Sequence, residues 1–125
     1  MEKIKKILLV DDDNFIITIQ SKFLTGKGYQ VFAVNTAVDI FTTISKYAPD
    51  VIIMDHDMPI VSGHDAILQI KANNLTRSIP VIYFSSADNL AGLARSSGAD
   101  AYLSKSGIME NIHDIIHIIE GFQSI

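Results

Sequence analysis

The stretch VIIMDHDMPIVSGHD, residues 51–65, runs four apolar residues straight into Asp55, His56 and Asp57, then into Pro59 and Gly63. An unbroken apolar tetrad bounded by turn residues suits a strand covered on both faces, as in a parallel sheet flanked by helices. Its abrupt end on two carboxylates marks the carboxyl edge of such a sheet. That is the edge where ligands bind in open α/β folds.

The flanking sequence repeats the pattern. Upstream, KILLV (6–10) reads as a first buried strand, followed by Phe15, Ile19 and Phe23 at helical spacing until TGKG stops the helix. YQVFAV (29–34) is a second strand, and Thr36 with Asp39 resembles a capping box ahead of a helix face of Ile40, Phe41 and Ile44. The opening stretch supplies the third strand, DVIIM, and Ala66, Ile67 and Ile70 form the next helix face. PVIYF (80–84) and AYLS (101–104) are strands four and five. A short helix around Leu90, Leu93 and Ala94 lies between them, and Ile108, Ile112, Ile115, Ile116 and Ile119 form a final helical stripe. Five strands, each followed by a helix, predict an α/β fold: a (βα)5 doubly wound, five-stranded parallel sheet. No repeat or linker interrupts it, so a single domain over residues 1–125 is expected.

Composition narrows the function. The chain has 48% apolar and 19% charged residues, enough for a core and unlike a disordered chain. Its net charge of −4 argues against direct binding to nucleic acid, which needs a basic face. With no cysteine, disulfides, thiolate zinc sites and cysteine nucleophiles are excluded. The longest apolar run, IPVIYF, is far short of a membrane span, and no signal-peptide core is present, so a cytoplasmic location is expected.

The strand ends carry the chemistry. Asp11, Asp12 and Asp13 follow strand one, Asp55 and Asp57 strand three, Ser85 and Ser86 strand four, and Lys105 strand five. Asp13 suits the N-cap of the first helix. The other four carboxylates would repel one another unless a cation compensated them, and Mg2+ prefers such oxygen donors together with a phosphate. Lys105 adds a fixed positive charge and Ser85 a hydroxyl donor. The set suits a phosphoryl group arriving with a metal.

These residues also carry a family resemblance. LLVDDD (8–13), DVIIMDHDMPIVSG (50–63), PVIYFSS (80–86) and GADAYLSK (98–105) occur in the order found in the receiver domain of two-component phosphorelay response regulators. The chain resembles that family over essentially its whole length. The resemblance implies the strand order 2-1-3-4-5. It also implies that Asp55 accepts phosphate from a histidine kinase or a histidine phosphotransfer protein. Asp12 matches a direct Mg2+ ligand, Asp11 a ligand acting mainly through water, and Asp57 a ligand through its backbone carbonyl. Lys105 would pair with phosphoryl oxygens, Ser85 would move to bind the phosphoryl group, and Tyr102 would turn inward as the switch operates. Pro59 and Gly63 would shape the acceptor loop. The implied output surface, for a downstream protein, is helix four, strand five and helix five. A homodimer through the last helix stays open. The chain would be a switch rather than an enzyme, though one assisting its own phosphorylation and dephosphorylation.

Some positions depart from the pattern. Ser106 replaces the usual proline after the lysine; a cis bond before serine costs roughly 3–4 kcal/mol, so a trans bond or a strained loop is expected. Ser86 replaces the usual alanine. His56 is unusual beside the acceptor; a side chain alternating away from Asp55 favours a structural or solvent-facing role over metal ligation or proton donation. Asp57 and Ala87 occupy positions that in the family tune hydrolysis. Three other readings compete. MDHD resembles the motif of haloacid-dehalogenase-like phosphatases, but no late acidic pair follows Lys105. A flavin carrier on the same fold would not place acids after strand one. A degenerate receiver acting only as a protein-binding module would not need its acceptor, acids and lysine intact.

Overall fold

The computed structural model describes residues 3–123, leaving aside the side chains of residues 108–111. Five strands alternate with five helices: β1 Lys6–Val10, α1 Asn14–Gly26, β2 Gln30–Val34, α2 Ile40–Tyr47, β3 Val51–Met54, α3 Gly63–Ala72, β4 Val81–Ser85, α4 Leu90–Ser97, β5 Ala101–Ser104 and α5 Ile108–Gln123. The strands form one parallel sheet in the order β2-β1-β3-β4-β5. The fold class and strand order are those expected.

Alternation along the central strands splits the core in two. Leu8, Val10, Ile52, Met54, Val81 and Tyr83 face α2, α3 and α4 through Ile40, Ile44, Ala66, Ile67, Ile70, Leu90 and Ala94. Ile7, Leu9, Val51, Ile53, Ile82 and Phe84 face α1 and α5 through Ile16, Leu24, Ile112, Ile115 and Ile119. Both faces of β1, β3 and β4 are therefore covered, which explains strands with no polar alternation. The edge strands β2 and β5 are only partly buried.

Two local expectations are corrected. The buried stripe of α1 is Ile16, Gln20 and Leu24, one position on from Phe15, Ile19 and Phe23. Phe15 is exposed, while Ile19 and Phe23 pack only at the margin of the core. The capping box also does not form: Asp39 is the N-cap of α2 in a left-handed conformation without a side-chain cap, and the Thr36 hydroxyl accepts from Val38 N at 3.1 Å. The final isoleucine stripe is core-facing at Ile112, Ile115 and Ile119; the side chain of Ile108 lies outside the described residues.

The amino-terminal rim of the sheet is tied by two carboxylates. Asp50 Oδ2 accepts from the backbone N–H groups of Lys5 and Lys6, both at 2.9 Å. Asp100 Oδ2 accepts from Val81 N at 2.8 Å and from Lys71 Nζ at 2.7 Å. Lys71 Nζ also donates to the carbonyls of Arg77 and Ile79 at 3.1 and 2.7 Å. The carboxyl-terminal rim is held differently.

Candidate functional site

At the carboxyl-terminal rim the sheet ladder presents the acids. Asp11 N donates to Val34 O at 3.1 Å and Asp55 N to Val10 O at 2.9 Å, so both residues extend their strands by one position. Both are buried, at 2% and 4% exposure, whereas Asp12 is exposed. Asp13 caps α1, accepting from Phe15 N at 3.0 Å and Ile16 N at 3.4 Å, as its place before the helix predicts. Lys105 N donates to Ser85 O at 3.0 Å, placing the lysine stem on the same rim.

Lys105 Nζ lies 2.8 Å from Asp11 Oδ2 and 2.8 Å from Asp55 Oδ1. Asp11, Asp12 and Asp55 each offer a carboxylate oxygen within 4.8 Å of the other two. Two carboxylates thus share one ammonium, and a third stands beside them. Burial pushes the Asp55 carboxyl up to about 6 against the opposing hydrogen bond from Lys105, and the charge of Asp11 adds to the rise. Burial alone would lower the pKa of Lys105, but the hydrogen bonds and charges of Asp11 and Asp55 outweigh it and the net direction is upward. Asp11 Oδ2 has its ion pair but no aligned hydrogen-bond donor, so lone-pair capacity remains there. A hard dication fits this donor set: three oxygens close together, negative charge in excess, and one buried oxygen incompletely satisfied.

The loop after Asp55 is held by close backbone contact. Met58 N and Gly63 N both donate to His56 O, at 3.1 and 3.0 Å, and Val61 N donates to Pro59 O at 2.8 Å. A Cβ on Gly63 would sit 1.6 Å from the carbonyl oxygen of Asp55. Only glycine lets the start of α3 pass this close to the acceptor strand. Ile60, at the tip, has a left-handed backbone with φ of 71° and a side chain 91% exposed.

The remaining predicted residues lie around this centre. Ser85 is buried at the end of β4, its hydroxyl accepting from Ala87 N at 3.0 Å. Tyr102 is half exposed on β5. Grooves of about 490 and 410 Å³ flank it, the first lined by Ala87, Leu90 and Ala91, the second by Ala94, Arg95 and Ile118. The Asp57 side chain is 84% exposed and does not join the carboxylate cluster. No peptide bond among the described residues is cis, so the Lys105–Ser106 bond takes the trans form expected of a serine. His56 is structural: its Nδ1 is hydrogen-bonded to the hydroxyl of Tyr83. Sequence reading missed Tyr83. No local pattern marks it, because the pairing depends on the β3–β4 register that sets Met54 opposite Tyr83.

Comparison with known proteins follows the same lines. The family model of the response regulator receiver domain matches residues 7–117. Protein PilG of Pseudomonas aeruginosa is 34% identical over 105 residues, covering 80% of this chain and 76% of that protein. Other curated relatives are longer, and the chain spans 46% of the length of several. Among solved structures, chemotaxis response regulator CheY4 of Vibrio cholerae superposes with a TM-score of 0.82 at 22% identity, covering 94% of this chain and 99% of that one. The receiver domain of a sensor histidine kinase from Pseudomonas aeruginosa PAO1, solved with magnesium ion coordinated in the active site cleft, gives 0.79 at 24% identity, covering 94% and 98%. The match to the family model over most of the chain, carried on the expected fold, makes this protein a member of the response regulator receiver domain family.

Proposed function

We propose that Asp55 is the phosphoacceptor of a signalling switch contained in one domain over residues 1–125. The observation that carries the reading is the ammonium of Lys105 shared at 2.8 Å between Asp11 and Asp55, with Asp12 beside them. Asp11, Asp12 and the Asp57 backbone carbonyl, together with Asp55, would hold Mg2+. When bound, the ion supplies charge neutralisation for an anionic nucleophile meeting an anionic phosphoryl group. The magnesium in the cleft of the kinase receiver domain supports that identity of the metal.

The residues then divide the work. β3 holds the Asp55 carboxylate still at the rim for in-line attack on a phosphohistidine of a histidine kinase or phosphotransfer protein. Lys105 exchanges one carboxylate partner for phosphoryl oxygens. The Ser85 hydroxyl leaves Ala87 N and turns toward the new anion, and Tyr102 moves into the space it vacates. The phosphoryl group acts as a ligand with unequal affinity for two arrangements of α4, β5 and α5, where a downstream protein docks. A cytoplasmic setting suits this partner, and no helix among the described residues is long and apolar enough to cross a membrane.

The test is incubation with acetyl phosphate and Mg2+ followed by intact-mass analysis. A single phosphoryl adduct is expected in the wild type and none in Asp55→Asn. Multiple turnover of an added phosphomonoester would favour the phosphatase reading instead. A folded protein that forms no adduct would favour the binding-module reading.

A further inference from the structure

The chain has four histidines, and two of them have side-chain partners within the fold. His56 Nδ1 meets the Tyr83 hydroxyl, and His64 Nε2 lies 2.9 Å from Ser96 Oγ, joining α3 to α4. The other two lie on α5. Among the described residues, His113 and His117 make no hydrogen bond and no ion pair, and both are exposed. They stand four apart in the helix and are therefore neighbours on one face, with Cβ atoms about 5–6 Å apart. Ile112, Ile115 and Ile119 turn to the core, which leaves the pair along the flank of α5 that borders α1. There the rings of Phe23 and His113 meet edge to face, with centroids 5.0 Å apart and planes at 84°. That contact braces one imidazole before any ligand arrives. The flanking charges offset each other: Lys27 Nζ lies 5.6 Å from the centroid of the same Phe23 ring, and Lys27 lines one groove together with Glu120.

We infer that His113 and His117 form a binding site for a divalent transition-metal ion of the Zn2+ type, separate from the carboxylate cluster at the sheet rim. Imidazole nitrogen is a favoured ligand of such ions, whereas Mg2+ takes carboxylate oxygens and water. Two histidines four apart on a helix is the spacing with which helical zinc sites grip their metal from one face. Zn–N bonds of about 2.0–2.1 Å let one ion bridge side chains at that separation. Neither ring has to give up a protein hydrogen bond to ligate. The two imidazoles fill two of the four tetrahedral positions and water fills the others, so the site is an open one. Because the ion joins successive turns, it stabilises the folded helix over the unfolded chain. The inference does not depend on Asp55 being the phosphoacceptor.

The experiment titrates the full chain with Zn2+ by calorimetry, with millimolar Mg2+ present throughout to compete at the rim carboxylates. His113→Gln and His117→Gln are each expected to weaken binding by about tenfold or more, since losing even an indirect partner of a metal site costs that much. His64→Gln removes a histidine elsewhere and is expected to change nothing. Should His113→Gln, which loses its contact with Phe23, fail to fold, a second measurement decides. Zn2+ is expected to raise the thermal midpoint of the wild type and to leave that of His117→Gln, changed at an exposed position, where it was. Undiminished binding in the double variant would place the ion at the rim and overturn the inference. So would loss in only one of two folded single variants, because a chelate needs both rings. Equal loss in His64→Gln, or no binding by the wild type, would overturn it as well.

Discussion

Ile60 shows how much of the rim is set by single residues. It is a β-branched residue in the left-handed region, which costs roughly 1–2 kcal/mol for L-residues, and its side chain, 91% exposed, recovers almost nothing by burial. Ile60→Asn, which tolerates that backbone, should stabilise the fold by about 1 kcal/mol in urea unfolding. An unchanged or lowered midpoint would mean that the isoleucine is held by contacts that outweigh its backbone cost. Gly63 is the converse case. Its constraint is space and not φ: the carbonyl of Asp55 occupies the place of a side chain. Asp11, Asp12, Asp55 and Lys105 were legible in the sequence because each follows a strand, and strand ends converge whatever the details of packing. The pairing of His56 with Tyr83 was not legible, since it needs both a register and a rotamer.

Among the elements, α3 depends on one side chain at its end. Lys71 Nζ gathers two carbonyls and the Asp100 carboxylate, tying the helix terminus to the turn before β4 and the turn before β5. Lys71→Met keeps the stem and removes these bonds. It should cost about 1–2 kcal/mol, less than three isolated charged hydrogen bonds would suggest because Asp100 is partly exposed and keeps Val81 N. Denaturant midpoints measure the loss, and adduct formation at Asp55 should be unaffected. The elements themselves were readable from apolar runs, β5 to the residue. The face of α1 was not. Phe15, Ile16, Ile17 and Ile19 are apolar nearly all round the helix, and the buried stripe passes through a polar Gln20, so periodicity points one position astray. The entry to α2 departs from the capping-box pattern, because the Thr36 hydroxyl satisfies Val38 N and the helix starts later, at a left-handed Asp39.

For the molecule as a whole, the excess negative charge at the rim links stability to pH and to metal. The folded Asp55 carboxyl holds its proton up to about 6, whereas an unfolded aspartate lets go near 4. Its contribution is therefore fully present below about pH 4 and is lost as pH rises through about 6, by at most about 3 kcal/mol. In the presence of a chelator, thermal unfolding should show this decline between those values, and Asp55→Asn should flatten it. Added Mg2+ at neutral pH should stabilise the wild type more than that variant, since a dication meets less negative charge there. A slope of the opposite sign would contradict the crowding of acids around Lys105. The two poles of the sheet differ in kind. Asp50 and Asp100 knot one pole into the backbone with fixed partners, whereas the other is balanced by exchangeable ionic contacts. A disturbance entering at the balanced pole meets an anchored foundation beneath it. On the border of β5 and α4, Tyr102 lies half exposed between two grooves, outside both the balanced contacts and the anchored ones.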